Sequence, residues 1–501
     1  MGVGIGDLQV LAAGYGSADL EHGVAITPES VFEPGSIAKQ FTAAAVLLLG
    51  QRGKLSLDDP VRKYFPELPE YKVPITIRNL LNHTSGLRDW GNVESIAGWT
   101  RTTREYTMAH VLEIISRQQA LNYTPGAEYS YTNSGYNLAA MLVTRVSGMP
   151  FPEFTKKELF VPLDMTSTQW RDDFRRIVHN RAIAYQSAGD DSYRQDMPFE
   201  DAYGNGGLLT TVGDLLKWNR NFTSAKVGGP ALIEAQLQPG KLTNGQEIFY
   251  ASGLMIPHTT GILEVSHSGS TAGYNAWLGR YPEKELSVAV LCNLDPGSAT
   301  TLGHEVADIY LGPNVREKPS PKAPAVALPI PKDIAGLYER SRDHRTATIS
   351  TENGELLWNG RDVLVQIARN EFAMGTEGAH LQFTASESGS PAASVKITRA
   401  YDEPVFYYQV PQANPTRRDL EGLVGEYASD EAEVTFLVRI ENDKLVVRRR
   451  PDTGIELKPT YRDGFESSLG SVRFLRDADG LVSELSVGDP RVWDLRFRKV
   501  H

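Results

Sequence analysis

Pro34-Gly35-Ser36-Ile37-Ala38-Lys39, running into the apolar segment Phe41 to Leu49, is the stretch on which the reading of this chain turns. A serine and a lysine three apart on a helix lie on one face, one turn from each other. The pattern predicts a helix over Ser36 to Arg52. At its start Ser36 would meet free N–H groups and the positive end of the dipole, which favour developing negative charge. A lysine beside that hydroxyl in a partly buried pocket can lose its proton or stabilise a neighbouring anion. Alone, S-x-x-K decides little, because helix N-caps supply serine and chance supplies lysine.

Two further elements follow in order. The first is Tyr131-Thr132-Asn133, inside Pro125 to Tyr136 and just before a helix expected over Ser134 to Val146. A phenol near a lysine can serve as a general base if the positive charge lowers its pKa. Asn133 carries both donor and acceptor, enough to orient the lysine and hold a substrate carbonyl. Tyr129 and Tyr136 read as aromatic packing. The second element is Ser266-His267-Ser268-Gly269-Ser270, leading toward the strand Ala276 to Tyr281. A glycine there allows close approach to a strand edge, and such an edge can pair with a peptide-like substrate. By itself H-x-G is also a plain glycine turn.

The three elements together resemble the penicillin-recognising serine hydrolases, in particular their class C β-lactamase-like branch, over about residues 1–310. Leu80-Leu-Asn-His-Thr-Ser-Gly-Leu87 and Gly204-Asn-Gly-Gly-Leu-Leu-Thr-Thr211 look like framework segments of that family, with His83 structural. The resemblance implies an α+β fold: a β-lactamase-like sandwich with an antiparallel sheet flanked by helices. It implies Ser36 as an acylated nucleophile, with Lys39 and Tyr131 activating it. It places Asn133 on the substrate amide, His267 and Gly269 along the substrate strand, and the N–H groups of Ser36 and Ser270 in an oxyanion hole. Many relatives open the third element with lysine, whereas this chain has His267, mostly neutral at pH 7. That favours esters or amides that lack the carboxylate of a β-lactam.

Downstream, Pro313, Pro319, Pro321, Pro324, Pro329 and Pro331 read as a semi-rigid linker over 313–332. Beyond it, short alternating strands carry a weak internal repeat. Asp333 to Tyr338 resembles Asp419 to Val424 at a shift of 86 residues, and Asn353 to Leu357 resembles Asn442 to Val446 at 89. Two small antiparallel, lipocalin-like β-barrels, 333–416 and 417–501, are preferred over one larger β domain. Ser471 to Val487 is the clearest hairpin. An S-x-x-K domain (1–312) followed by two barrels resembles the D-aminopeptidases of the superfamily. In that group a barrel loop helps close the site; Thr453 to Leu469 is the candidate segment, with Asp463 as a partner for a substrate ammonium.

Composition narrows the rest. With 501 residues, 41% apolar and 23% charged, the chain reads as soluble globular protein of about three domains. A formal charge of −11 disfavours nucleic acid as a partner, and Arg448, Arg449 and Arg450 read as solvated surface. The single cysteine, Cys292, excludes an intramolecular disulfide and reads as a core residue. No metal or cofactor is expected: His304-Glu305 has no second histidine at helical spacing. Phe41 to Leu49 is far shorter than the ~20 residues of a membrane span. No signal peptide is visible, so a native start at Met1 implies the cytoplasm, and a removed signal implies export. The expected partner is a small-molecule or short peptide substrate, with a homo-oligomer allowed. An esterase or weak β-lactamase of the same family would use the same residues, and the competing class is a non-catalytic binding protein, acylated by ligand or holding a peptide or lipid on its barrels.

Overall fold

The structure is a computed structural model describing residues 1–101, 104–257, 261–312, 334–374, 379–384, 394–399, 402–451 and 453–500. The linker expected over 313–332 lies outside them. The chain divides into two units, Met1–Leu87 with Arg101–Glu317 and Arg88–Thr100 with Lys318–His501.

Both ends of the first unit build one antiparallel sheet, in the order Leu8–Ala12, Gly2–Ile5, Leu286–Cys292, Tyr274–Tyr281, Val265–Thr271. Gly4 to Tyr15, whose sequence reads as a single strand, forms a hairpin instead. Gly6 adopts φ +55 and the chain folds back so that Ile5 faces Leu8. Gly279 to Leu291 also reads as one strand in sequence, but it is broken by a turn at Pro282–Lys284 with Glu285 at φ +50. The sequence of Glu247 to Pro257 reads as a further strand, yet the segment is irregular and held by isolated bridges such as Tyr250↔Met255. Gly253, at φ +79, is the cause: a Cβ there would stand 2.7 Å from the Lys39 carbonyl oxygen.

The helix Lys39–Gln51 is buried from Lys39 to Leu49, as a helix apolar on all sides must be. Its first turn is tighter than expected, a 3-10 turn over Gly35–Ala38. Asn133–Ser147 packs beside it, started by Thr132, whose hydroxyl accepts from Ser134 N–H, and ended by Gly148 at φ +70. Thr211-Val-Gly-Asp214 reads in sequence as an N-cap with an acid three residues on, and Thr211 caps Val212–Ser224 by accepting from Asp214 N–H. Among the described residues, no helix is long and apolar enough to cross a membrane.

The second unit holds two closed eight-stranded antiparallel barrels, Gly336–Val410 and Gly425–Lys499. Gly336 and Gly425 open them at φ 151 and 152. The hydroxyls of Tyr338 and Tyr427 donate to the carbonyls of Ile334 and Leu423, each at 2.8 Å. Asn353 and Asn442 take φ 51 and 49 in matching turns. All of these pairs are 89 residues apart, which replaces the shift of 86 read from Asp333 and Asp419. Asp419 is instead the capping-box partner of Thr416 in the short helix Arg417–Glu421. The barrels touch each other through Tyr461, whose hydroxyl donates to Glu339 Oε1 at 3.0 Å, and through Glu466, which accepts from Thr346 N–H at 2.7 Å.

The helix Trp90–Ala97, far upstream in sequence, belongs to this second unit, so the run 1–312 is not one uninterrupted body. The reason is apolar burial: Val93, Ile96 and Ala97 share one core with Tyr427, Phe436, Leu485 and Phe497 of the second barrel. Arg88 fixes its base with two bonds to Glu431, at 2.8 and 2.9 Å. The arginine run is less solvated than its composition suggests: Arg448 pairs with Glu441, and Arg450 lies 5.9 Å from the Trp99 ring.

Candidate active site

Three elements converge on the Lys39 amine. Its Nζ donates to Ser36 Oγ at 3.0 Å, to Asn133 Oδ1 at 2.9 Å and to the Asn205 carbonyl at 2.8 Å. All three acceptors are oxygens, which a lysine amine can serve only as a donor of N–H bonds. The Tyr131 ring lies 4.8 Å from the same nitrogen and the Tyr136 ring 5.6 Å. Lys39 itself is fully buried, whereas Ser36 is half-buried and within reach of solvent.

The edge strand Val265–Thr271 presses its backbone on the Ser36 turn. A Cβ on Gly269 would lie 2.0 Å from the Pro34 carbonyl oxygen and 2.8 Å from Ser36 N. One on Gly35 would lie 2.7 Å from Ser270 N. Only glycine fits either place, and the main-chain nitrogens of Ser36 and Ser270 are thereby brought into one small region. Ser270 is exposed. His267 lies on the same strand, but its ring is 1% exposed and turned into an aromatic cluster. Its Nε2 is 2.9 Å from the Tyr250 hydroxyl, and its Nδ1 faces the Ser268 carbonyl. Burial first, and the charge of Lys39 second, push the imidazole down to about 3. It is neutral at physiological pH, with Nδ1 carrying the proton and Nε2 accepting.

The sequence-predicted residues therefore divide. Ser36, Lys39 and Asn133 are joined by direct hydrogen bonds, with Tyr131 against the amine and Gly269 and Ser270 against the Ser36 turn. His267 borders this group through its backbone and the buried side of its ring. Tyr129 and Tyr136 pack as expected: the Tyr129 ring is 5.1 Å from Phe249, and the Tyr136 hydroxyl donates to the Leu81 carbonyl at 2.7 Å. Asp463, expected as a partner for an ammonium, is already paired to Arg476 by two bonds of 2.7 and 2.9 Å.

Sequence reasoning missed the group that holds the third acceptor. Asn137 Nδ2 donates to Asn205 Oδ1 and to the Tyr203 carbonyl, both at 2.8 Å, and Thr42 Oγ1 donates to the Gly204 carbonyl at 2.8 Å. The signal was present: Asn137 is one helical turn beyond Asn133, and Gly204, Gly206 and Gly207 mark a tight loop. Behind that loop, Arg171 donates from Nε and Nη2 to Glu33 at 2.9 and 3.1 Å, and Gly207 N–H donates to Glu33 Oε1 at 3.2 Å. Burial alone would raise the Glu33 carboxyl, yet Arg171, Arg181 and Arg101 hold it below its usual range. For metals, Asp19, Glu21 and His22 form the one three-ligand group among the described residues. It sits at the surface, with His22 Nδ1 engaged by Asp19 Oδ2 at 2.7 Å.

This architecture defines the β-lactamase and transpeptidase-like class of serine hydrolases. Residues 2–311 match the β-lactamase family, and the chain belongs to it. It is 24% identical over 506 residues to the D-aminopeptidase of Brucella anthropi, covering 96% of this chain and 91% of that protein. It is 27% identical over 361 residues to penicillin-binding protein 4* of Bacillus subtilis, covering 68% and 79%. The octameric penicillin-binding protein homologue from Pyrococcus abyssi superposes with a TM-score of 0.56 at 25% identity, covering 81% of this chain and 94% of that one.

Proposed function

We propose that the chain is an acyl-hydrolase that cleaves small amides or short peptides, D-aminopeptidase-like in preference, through an ester on Ser36. The observation that carries this reading is the 3.0 Å contact of Lys39 Nζ with Ser36 Oγ inside a buried three-acceptor cradle. The base is assigned to Tyr131, whose ring lies 4.8 Å from the Lys39 amine. Ser36 Oγ attacks the substrate carbonyl carbon and its proton passes to Tyr131. The N–H groups of Ser36 and Ser270 receive the oxyanion, each such donor being worth about 2.7–4 kcal/mol in related chemistry. The C–N bond breaks as the proton moves to the leaving amine, and water then hydrolyses the ester.

The neutral, buried His267 supports an amide or ester substrate, since it has no charge to offer a carboxylate. Near full-length similarity to a D-aminopeptidase supports the specific choice. The octameric relative supports a homo-oligomer, which light scattering would size. The test is intact-protein mass spectrometry with a fluorophosphonate probe, comparing wild type with Ser36→Ala, beside hydrolysis of D-alanine p-nitroanilide and p-nitrophenyl acetate. Ser36-dependent labelling with release of D-alanine is the expected result. Ester cleavage alone would make the chain an esterase, and a folded protein without labelling or turnover would be a binding scaffold.

A further inference from the structure

His83 takes no part in the steps above, yet it touches the main chain on both sides of Tyr131. Its Nδ1 accepts from Thr132 N–H at 3.2 Å, and its carbonyl accepts from Ser130 N–H at 3.0 Å. The same carbonyl accepts from the Tyr123 hydroxyl at 3.0 Å. The His83 ring lies 4.2 Å from the Tyr131 ring at 37°, with Tyr250 packed edge-on at 4.5 Å. His83 is fully buried and adopts φ +57, a left-handed conformation that costs a side-chain-bearing residue energy. Neighbouring bonds hold it there: Thr84 N–H donates to the Asn79 carbonyl at 3.0 Å, and Gly126 N–H donates to the Thr84 carbonyl at 2.8 Å.

We propose that His83 is a positioning residue for Tyr131, clamping Ser130 and Thr132 so that the phenol stays against the Lys39 amine. This rests on the reading of Tyr131 as the base. The clamp needs an acceptor at the Nδ1 position and a backbone that tolerates positive φ. Asparagine meets both needs, because its Oδ1 falls near the Nδ1 position and it enters the left-handed region readily. Glutamine puts its oxygen one bond further out, near the Nε2 position.

The experiment compares wild type, His83→Asn and His83→Gln, each also combined with Tyr131→Phe. It reads kcat and KM on p-nitrophenyl acetate, the rate of Ser36 labelling by fluorophosphonate, and the melting temperature. His83→Gln is expected to lower kcat and labelling rate by about 10- to 100-fold, the scale of a slight misplacement of a reacting group, with KM within about twofold. His83→Asn is expected to stay within about threefold of wild type. In the Tyr131→Phe background His83→Gln should cause little further loss, since the clamp then has no phenol to place. Equal losses in both backgrounds, or Asn as poor as Gln, would overturn the proposal, whatever the melting temperatures. Absence of Ser36 labelling in wild type would instead remove the functional reading, and this inference with it.

Discussion

Three acceptors meet the Lys39 amine, and the sequence displayed two of them. Ser36 was legible because i, i+3 spacing on a helix is a rigid ruler. Asn133 was legible because Y-x-N stands at a helix start. The Asn205 carbonyl was not, since any residue has a carbonyl and only the fold of the 203–207 loop aims this one. Lys39→Met keeps the stem but removes the amine and its bonds to Asn133 Oδ1 and the Asn205 carbonyl. It is expected to lower kcat on p-nitrophenyl acetate by about 10²–10⁴-fold, the range of general-base assistance, because Tyr131 loses the amine beside it. His267 carries a different prediction. Its pKa falls from 6.5 to about 3 on folding, so between those values the unfolded chain binds a proton that the folded chain refuses. Stability is therefore lost as pH drops below about 6.5. Melting temperatures from pH 7.5 to 4.5 should fall more steeply for wild type than for His267→Gln; parallel slopes would exclude this group as the source.

At the scale of the element, the strand Val265–Thr271 and the turn Gly35–Ala38 behave as one piece, because glycines remove the side chains that would separate them. Gly269→Ala would push a methyl to 2.0 Å from the Pro34 carbonyl oxygen, so strand and turn must part. The expected result is a fall in kcat/KM of about 10²-fold, with circular dichroism near that of wild type. A variant with wild-type kinetics would show that the strand edge takes no part. Caps and buried helices were readable from local chemistry: Thr211 with Asp214, and the apolar run after Ser36. Glu247 to Pro257 was not. Its alternating Ile248 and Tyr250 imitate a strand, while the backbone of Gly253 is fixed by contact with the Lys39–Gln51 helix, a constraint no local pattern carries.

At the scale of the whole molecule, composition shifts and a faint repeat were enough to indicate a hydrolase domain and two barrels. The repeat was partly misregistered because Asp419, which resembles Asp333 in sequence, belongs to a helix cap and not to the barrel turn pattern. Nothing in residues 88–100 announced membership of the second unit, since an amphipathic helix does not state which core it enters. A chain ending at residue 312 would keep Val93, Ile96 and Ala97 but lose the strands that bury them. It is expected to aggregate in size-exclusion chromatography where the full chain elutes as one species. The same helix also sets a timetable for synthesis. Arg88 and its partner Glu431 are 343 residues apart. At ribosomal speeds of about 5–20 residues per second, the helix emerges on the order of tens of seconds before the strands that will cover it exist. Throughout that interval a nascent chain carries Val93, Ile96 and Ala97 without the strands that bury them in the finished fold.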